Sequence, residues 1–188
     1  MKTKLFLLIA FILGISSVSK SQNTFTGGDQ VANLGIGLGN FISGQGFKTT
    51  FMPVSLSYEF CAKEDLFDSN SALGVGALVG YYGAKYDVPN VNFGYNYNYA
   101  LLGVRANIHY QFVDKLDTYL GGMLGYNLAV ITNYGDKQYK DSHPAPKSGG
   151  FDFAFYVGGR YYFLEKLALF SEVGYGISPV TVGLALKL

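Results

Sequence analysis

The 188-residue chain has no tryptophan, one cysteine, two histidines and five prolines, and only 14% of its residues are charged. A soluble domain of ordinary composition carries roughly 25% charged residues, so the usual well-solvated surface is not expected. A single cysteine excludes an internal disulfide. Cys61 reads as a small apolar residue at a strand end, with an intermolecular bridge as the alternative. No metal-ligand spacing, phosphate loop or haem motif occurs, so neither metal nor cofactor is expected. The closely spaced Gly35, Gly37 and Gly39 imitate a dinucleotide fingerprint, but no helix follows them. No apolar run reaches the about 18 to 20 residues that a membrane-spanning helix needs. The formal charge is only +1, which does not point to a nucleic-acid partner.

What the chain has instead is 49% hydrophobic residues, with 25 glycines, 16 tyrosines and 15 phenylalanines. Lys2 and Lys4 precede an apolar run over 5–15, followed by Ser16, Ser17, Ser19 and Ser21. A positive start, a short apolar core and small residues make a secretory signal peptide. Cleavage after Ser21 is expected, with Ser19 as the alternative site, giving a 1–21 leader and a 22–188 exported domain. Losing Lys2, Lys4 and Lys20 moves the formal charge from +1 to −2.

Side chains two apart share one face of a strand, and such alternation recurs eight times after the leader. The clearest case is 150–163. There Phe151, Phe153, Phe155, Val157, Tyr161 and Phe163 oppose Asp152, Ala154, Tyr156, Gly158, Arg160 and Tyr162. The other strands are expected over 31–40, 51–60, 72–86, 97–112, 118–131, 167–177 and 180–188. In each, one face is apolar and the other is rich in glycine with scattered charges. A soluble sheet would bury the apolar face and cover the other with Lys, Glu and Thr. That second face is too small and too apolar to meet water, so the apolar face is read as turned outward into lipid. A sheet in hydrocarbon must close to pair its backbone, and a glycine-rich inner face suits a narrow eight-stranded lumen.

The connections are expected to alternate. Tight charged turns at 113–117 and 164–166 face longer polar loops at 41–50, 87–96 and 132–149, while 61–71 is a longer loop on the short side. Pro53 lacks a ladder donor, so imperfect pairing is expected near it. Short turns on one rim and long loops on the other suit an outer-membrane barrel.

The signal peptide, the Gly-Tyr strand ends, the repeated Lys-Leu turn after a Tyr-x-Phe and the closing run from Glu172 to Leu188 carry a family resemblance. The chain resembles the small outer-membrane β-barrel family that includes the OmpA transmembrane domain and OmpX, in a Bacteroidetes-type version. The resemblance implies an all-β, eight-stranded antiparallel up-and-down transmembrane β-barrel with both termini in the periplasm. It also implies outer-membrane lipid and the insertion machinery as partners, and a monomeric, non-enzymatic protein of structural or interaction role. A narrow channel or carrier for small solutes is the second reading, and an outer-membrane lipid-modifying enzyme the third. The chain ends on Leu188 where an aromatic residue is usual, and the connection at Ser178-Pro179 is very short, which argues against a protruding sheet.

Two groups of residues are candidates for function. Glu59, Arg105, Asp152, Arg160, Glu172 and Lys187 fall on the expected inner face, three charges of each sign. Charges in a narrow lumen need partners, so an Arg160–Glu172–Lys187 cluster, with Arg105 and Glu59 nearby, is expected to plug it. Tyr95, Tyr97, Tyr99, Tyr134 and His143 fall in or beside the expected outer loops, where tyrosines can contact a protein or glycan ligand. His143 has Asp141 and Ser142 beside it, but neighbours in sequence diverge rather than converge on a substrate.

Overall fold

In a computed structural model, residues 24–39, 46–145 and 148–188 are described. The expected leader and the 40–45 part of the first connection lie outside them. The described residues form eight strands, β1(Gln30–Gly37), β2(Phe47–Glu64), β3(Ser71–Asp87), β4(Phe93–Val113), β5(Leu116–Gly135), β6(Ser148–Tyr162), β7(Leu167–Tyr175) and β8(Val180–Lys187), with α1(Lys137–Ser142) between β5 and β6. Each strand pairs antiparallel with its chain neighbours, and β1 closes on β8 from Val31↔Lys187 to Gly37↔Thr181. This is the eight-stranded antiparallel barrel expected from the alternation.

The faces fall as that alternation requires. Leu124 is 70% exposed and Phe155 65%, while Met123 and Ala154 beside them are buried. Leu34, Leu56, Val79, Val104, Val157 and Leu184 extend this apolar outer band around the barrel. Inside, glycine makes room for large neighbours. A Cβ at Gly74 would overlap the Glu59 carboxylate, and one at Gly121 would overlap Asn107 and Tyr156. An inner face built only of larger residues would not fit a ring of this size.

The strand limits differ from those expected: β2 to β5 are longer, whereas β1 and β7 end sooner. β2 to β5 run 17 to 21 residues, well beyond the roughly 9 to 11 needed to cross a membrane. The turn between β4 and β5 shrinks to Asp114 and Lys115, so Leu116 and Asp117 are strand residues. Cys61 lies inside β2, and the connection after it is only 65–70.

At the opposite rim β1, β7 and β8 stop early. Among the described residues only β2–β5 continue above Tyr82, Tyr99 and Ala129, five or six residues each, or roughly 17 to 20 Å along the strands at about 3.3 Å per residue. The very short connection after β7 does not prevent a protruding sheet, because the four longest strands build it without β7 or β8. Around Pro53 the β2–β3 register shifts twice, between Thr49 and Phe51 and between Phe51 and Val54. Phe51 and Met52 are both about half exposed as a result, so Phe51 leaves the inner face assigned to it by strict alternation.

The outward face yields a test. Phe155→Arg should impair insertion and folding by roughly 2 to 4 kcal/mol, because β6 presents that side chain near the middle of the apolar band. Ala154→Ser, one residue away on the lumen side, should cost little. Refolding into lipid vesicles followed by urea titration measures both, and equal losses would mean that the faces are reversed.

Candidate functional site in the lumen

Inward parity brings polar side chains from six strands into the lumen near the chain termini. Arg160 of β6 is fully buried. Its Nη1 donates to Asp117 Oδ2 of β5 at 3.0 Å, and its Nε donates to Asn33 Oδ1 of β1 at 3.1 Å. Its Nη2 donates to Glu59 Oε2 of β2 in a short ion pair. β2 and β6 are four strands apart in a ring of eight, so the Arg160–Glu59 pair joins opposite walls.

His109 of β4 lies in the same layer, with Nδ1 2.7 Å from Asp117 Oδ1 and Nε2 2.9 Å from Glu59 Oε1. Ionised carboxylates only accept hydrogen bonds. An imidazolium donating from both nitrogens therefore satisfies this layer, and it balances two carboxylates against two cations. Asn107 Nδ2 donates to Glu59 Oε1 at 2.5 Å and accepts at Oδ1 from the Tyr156 hydroxyl at 2.8 Å. A buried network satisfied to this degree is rigid, and breaking it exposes unpaired charge to a poorly polar interior.

A second layer lies toward the other mouth. Arg105 Nη2 donates to Glu172 Oε1 at 2.6 Å, and the Tyr119 hydroxyl donates to the same oxygen at 2.8 Å. Tyr119 and Tyr156 tie the layers together, since Arg160 lies 4.8 Å from the Tyr119 ring centre and Arg105 4.7 Å from that of Tyr156. Next to this layer is a cavity of only about 30 Å³, lined by Leu78, Met123, Ala154, Tyr156, Glu172 and Ile177 among others. That is room for about one water.

The expected cluster is therefore redistributed. Arg160 pairs with Glu59 and Asp117, not with Glu172, which belongs to Arg105. Lys187 leaves the group altogether and meets Asp29 Oδ2 at 2.8 Å, at the mouth. Asp152 stands apart, accepting from Asn127 Nδ2 at 2.5 Å and from the Phe153 backbone N–H at 2.8 Å. The diagonal reach from Arg160 to Glu172 loses to Glu59 across the lumen, which strand-neighbour reasoning does not see, and to Asp117, which stands directly opposite Arg160 on β5. Asp117 falls in the turn expected over 113–117, yet as a β5 residue it shares the inward parity of Tyr119 and Met123. Asn33 and Asn107 carried the right parity but no charge to single them out.

The outer candidates also separate. Tyr95 lies within β4 rather than in the loop expected over 87–96, and it shares with Tyr97 and Tyr99 the face that continues the lumen. With Phe93 they form a row of ring contacts at 5.1, 6.3 and 6.4 Å. Tyr82 stacks on Tyr99 at 4.8 Å, and Phe47 meets Tyr97 at 5.5 Å. His143 follows α1, with its ring 5.7 Å from that of Phe93 and its carbonyl accepting from Asn133 Nδ2 at 2.9 Å. Ser142 Oγ donates to the Gln138 carbonyl at 2.8 Å, so Ser142 and His143 are not hydrogen-bonded to one another as nucleophile and base.

Tyr134 lies on the opposite face of the raised sheet, where its hydroxyl donates to Asp87 in a short bond and Lys48 Nζ donates to Asp87 Oδ2 at 3.1 Å. The Tyr134 hydrogen bond first, and Lys48 after it, hold the Asp87 carboxyl down at about 2, while the same bond pushes the Tyr134 phenol up to about 12.

Two tests follow from these pairings. Arg160→Met should destabilise the folded barrel by about 3 to 5 kcal/mol, because it leaves two buried carboxylates, Glu59 and Asp117, with His109 as their one remaining counter-charge. Lys187→Met should cost at most about 1 kcal/mol, since that pair meets solvent at the mouth. Similar losses in urea unfolding would contradict the separation of Lys187 from the lumen layers. In the raised sheet, Asp87 has a depressed folded value, so its contribution is full above the ordinary 3.8 and fades as pH falls toward about 2. The Tyr134 ring resonances should shift over that interval and stay still in Asp87→Asn. An inflection at the ordinary carboxylate value would rule out the bond.

No family model matches the chain, and no curated protein matches it. Solved structures do. The outer membrane protein OprG of Pseudomonas aeruginosa superposes with a TM-score of 0.53 at 11% identity, covering 89% of this chain and 99% of that one. Ail, the attachment invasion locus protein of Yersinia pestis, solved with the heparin analogue sucrose octasulfate, gives a TM-score of 0.50 at 11% identity, covering 86% of this chain and 96% of that one. At such identity the likeness speaks for architecture: the chain has the fold of the small eight-stranded outer-membrane β-barrels.

Proposed function

We propose that the mature chain, from about Gln22 to Leu188, is a monomeric outer-membrane barrel. In this reading it works as a structural and contact protein rather than as a pore. The observation that carries this reading is the pairing of Arg160 with Glu59 across the lumen, beside Asp117 on the neighbouring strand. Backed by Arg105–Glu172, it leaves no continuous water path of the kind that larger barrels use. The apolar outer band supports residence in lipid, and the leader at 1–21 supports export and delivery to the insertion machinery.

With the lumen filled, the exposed working surface is the sheet raised by β2–β5. Tyr95, Tyr97 and Tyr99 lie on its inner side and Tyr134 on its outer side, with His143 at its tip. The register puts Phe47, Thr49, Tyr82, Ala84, Tyr86, Phe93, Tyr95, Tyr97 and Tyr99 on the inner side, none of them a cation. A sulfated sugar such as that bound by Ail would lack counter-charges there, so an uncharged glycan or a protein surface is the better fit.

The test is electrical. In planar bilayers the wild-type barrel should show little or no steady conductance, whereas Glu172→Ala, which frees Arg105, should be less stable and leakier. A large, steady wild-type conductance unchanged by that substitution would favour a channel for small solutes instead. Location is checked in parallel by outer-membrane fractionation, resistance to alkaline extraction and a gel shift on boiling. Recovery as a soluble periplasmic protein would overturn the whole reading.

A further inference from the structure

The residues before β1 fold back over the mouth on the side of the termini. Phe25 is only 5% exposed. Its ring stacks on that of His109, with centroids 4.2 Å apart and planes 28° apart, and Arg160 lies 5.8 Å from its ring centre. Around it stand Val31, Ala72, Tyr162, Ala168 and Phe170 in one buried cluster. The ring thus sits directly on the charged layer and shields that layer from water at this end.

The backbone of the same segment is tied down by side chains of the barrel. The Thr24 N–H donates to Gln111 Oε1 at 2.6 Å and the Gly27 N–H to Glu64 Oε2 at 2.9 Å. Asp29 Oδ2 accepts from the Thr26 N–H at 2.8 Å and from the Thr26 hydroxyl at 3.2 Å. Lys187 Nζ meets that oxygen at 2.8 Å, with both side chains about one-fifth exposed. Gly28 has φ +91°, which glycine adopts without strain, in a tight turn closed by the Asp29 N–H donating to the Thr26 carbonyl at 3.0 Å.

We propose that residues 24–29 are a latched stopper. Phe25 closes the barrel from the side of the termini, and Asp29–Lys187 is the latch, since the Asp29 oxygen that Lys187 meets also holds Thr26 next to Phe25. The stopper is a seal separate from the charge layers, and it has a different sensitivity. A latch that water reaches is screened by salt, whereas the buried Arg160 pairs are not. Raised ionic strength therefore loosens the segment and raises the exposure of the floor beneath it without opening the lumen. The device also accounts for Lys187, which faces inward yet joins neither charge layer.

Thiol accessibility tests this on the whole mature protein in lipid vesicles. Ala168 is fully buried in the Phe25 cluster, so Ala168→Cys in a Cys61→Ser background reports on the floor under the stopper. A small water-soluble methanethiosulfonate reagent should label it slowly at low salt and several-fold faster at high salt. Adding Lys187→Met should raise the low-salt rate up to about fivefold and abolish the salt dependence. Phe25→Ala should raise the rate further, and if that variant does not fold, the Lys187→Met pair carries the test alone. Equal labelling with and without the latch, or a rate indifferent to salt in both, would overturn the stopper. The charge layers remain in the latch variant, so its bilayer conductance should stay low. Conductance in the wild type would count against the closed lumen and leave the stopper standing.

Discussion

A guanidinium held out of water must find its counter-charges within reach of its own side chain, and Arg160 finds two of them on other strands. That requirement organises the lumen. Glu59 has to face inward on β2 and Asp117 on β5, and the strands carrying them have to stand where the guanidinium can reach both. Glycine then follows from volume. Gly74 clears space for Glu59 and His109, Gly121 for Asn107 and Tyr156, and Gly158 for Tyr119. Charge inside and small residues beside it are two sides of one packing solution in a ring of eight strands.

The outer surface obeys a separate rule. In hydrocarbon the backbone is satisfied only by closure, and the register provides this all round, with β1 pairing to both β2 and β8. Above that ring the rule relaxes. β2–β5 carry on where water supplies partners, and their side chains change from Leu and Val to Tyr, Asn, Lys and Asp. The bulged pairing near Pro53 marks the change on β2. Closed cylinder and raised sheet are therefore continuous strands in two solvents, one suited to holding position and the other to meeting other molecules.

Much of this could be read from residues alone. Period-two alternation located all eight strands and sorted their faces, because lipid outside and a narrow lumen inside impose opposite chemistry on adjacent positions. Strand ends were less legible. Residues 93–96 and Leu116-Asp117 fall in the expected connections, but they extend the β4 and β5 ladders. Pairings across the lumen were least legible, since Arg160 and Glu59 are 101 residues apart and their meeting depends on barrel closure. Phe25 lies outside any strand and left no periodic trace at all. The charged groups were therefore foreseen as a set, and their partners were not.

The cross-lumen pair is tested most directly by a double-mutant cycle between Arg160 and Glu59, using Arg160→Met and Glu59→Gln with urea unfolding in lipid vesicles. Each single substitution should be costly and the double much less so than their sum, with a coupling at or above the about 3 kcal/mol upper range of contacting residues. The matching cycle between Arg160 and Glu172 should show far weaker coupling. Additive losses for Arg160 and Glu59, or stronger coupling of Arg160 to Glu172, would contradict a lumen bridged in this way.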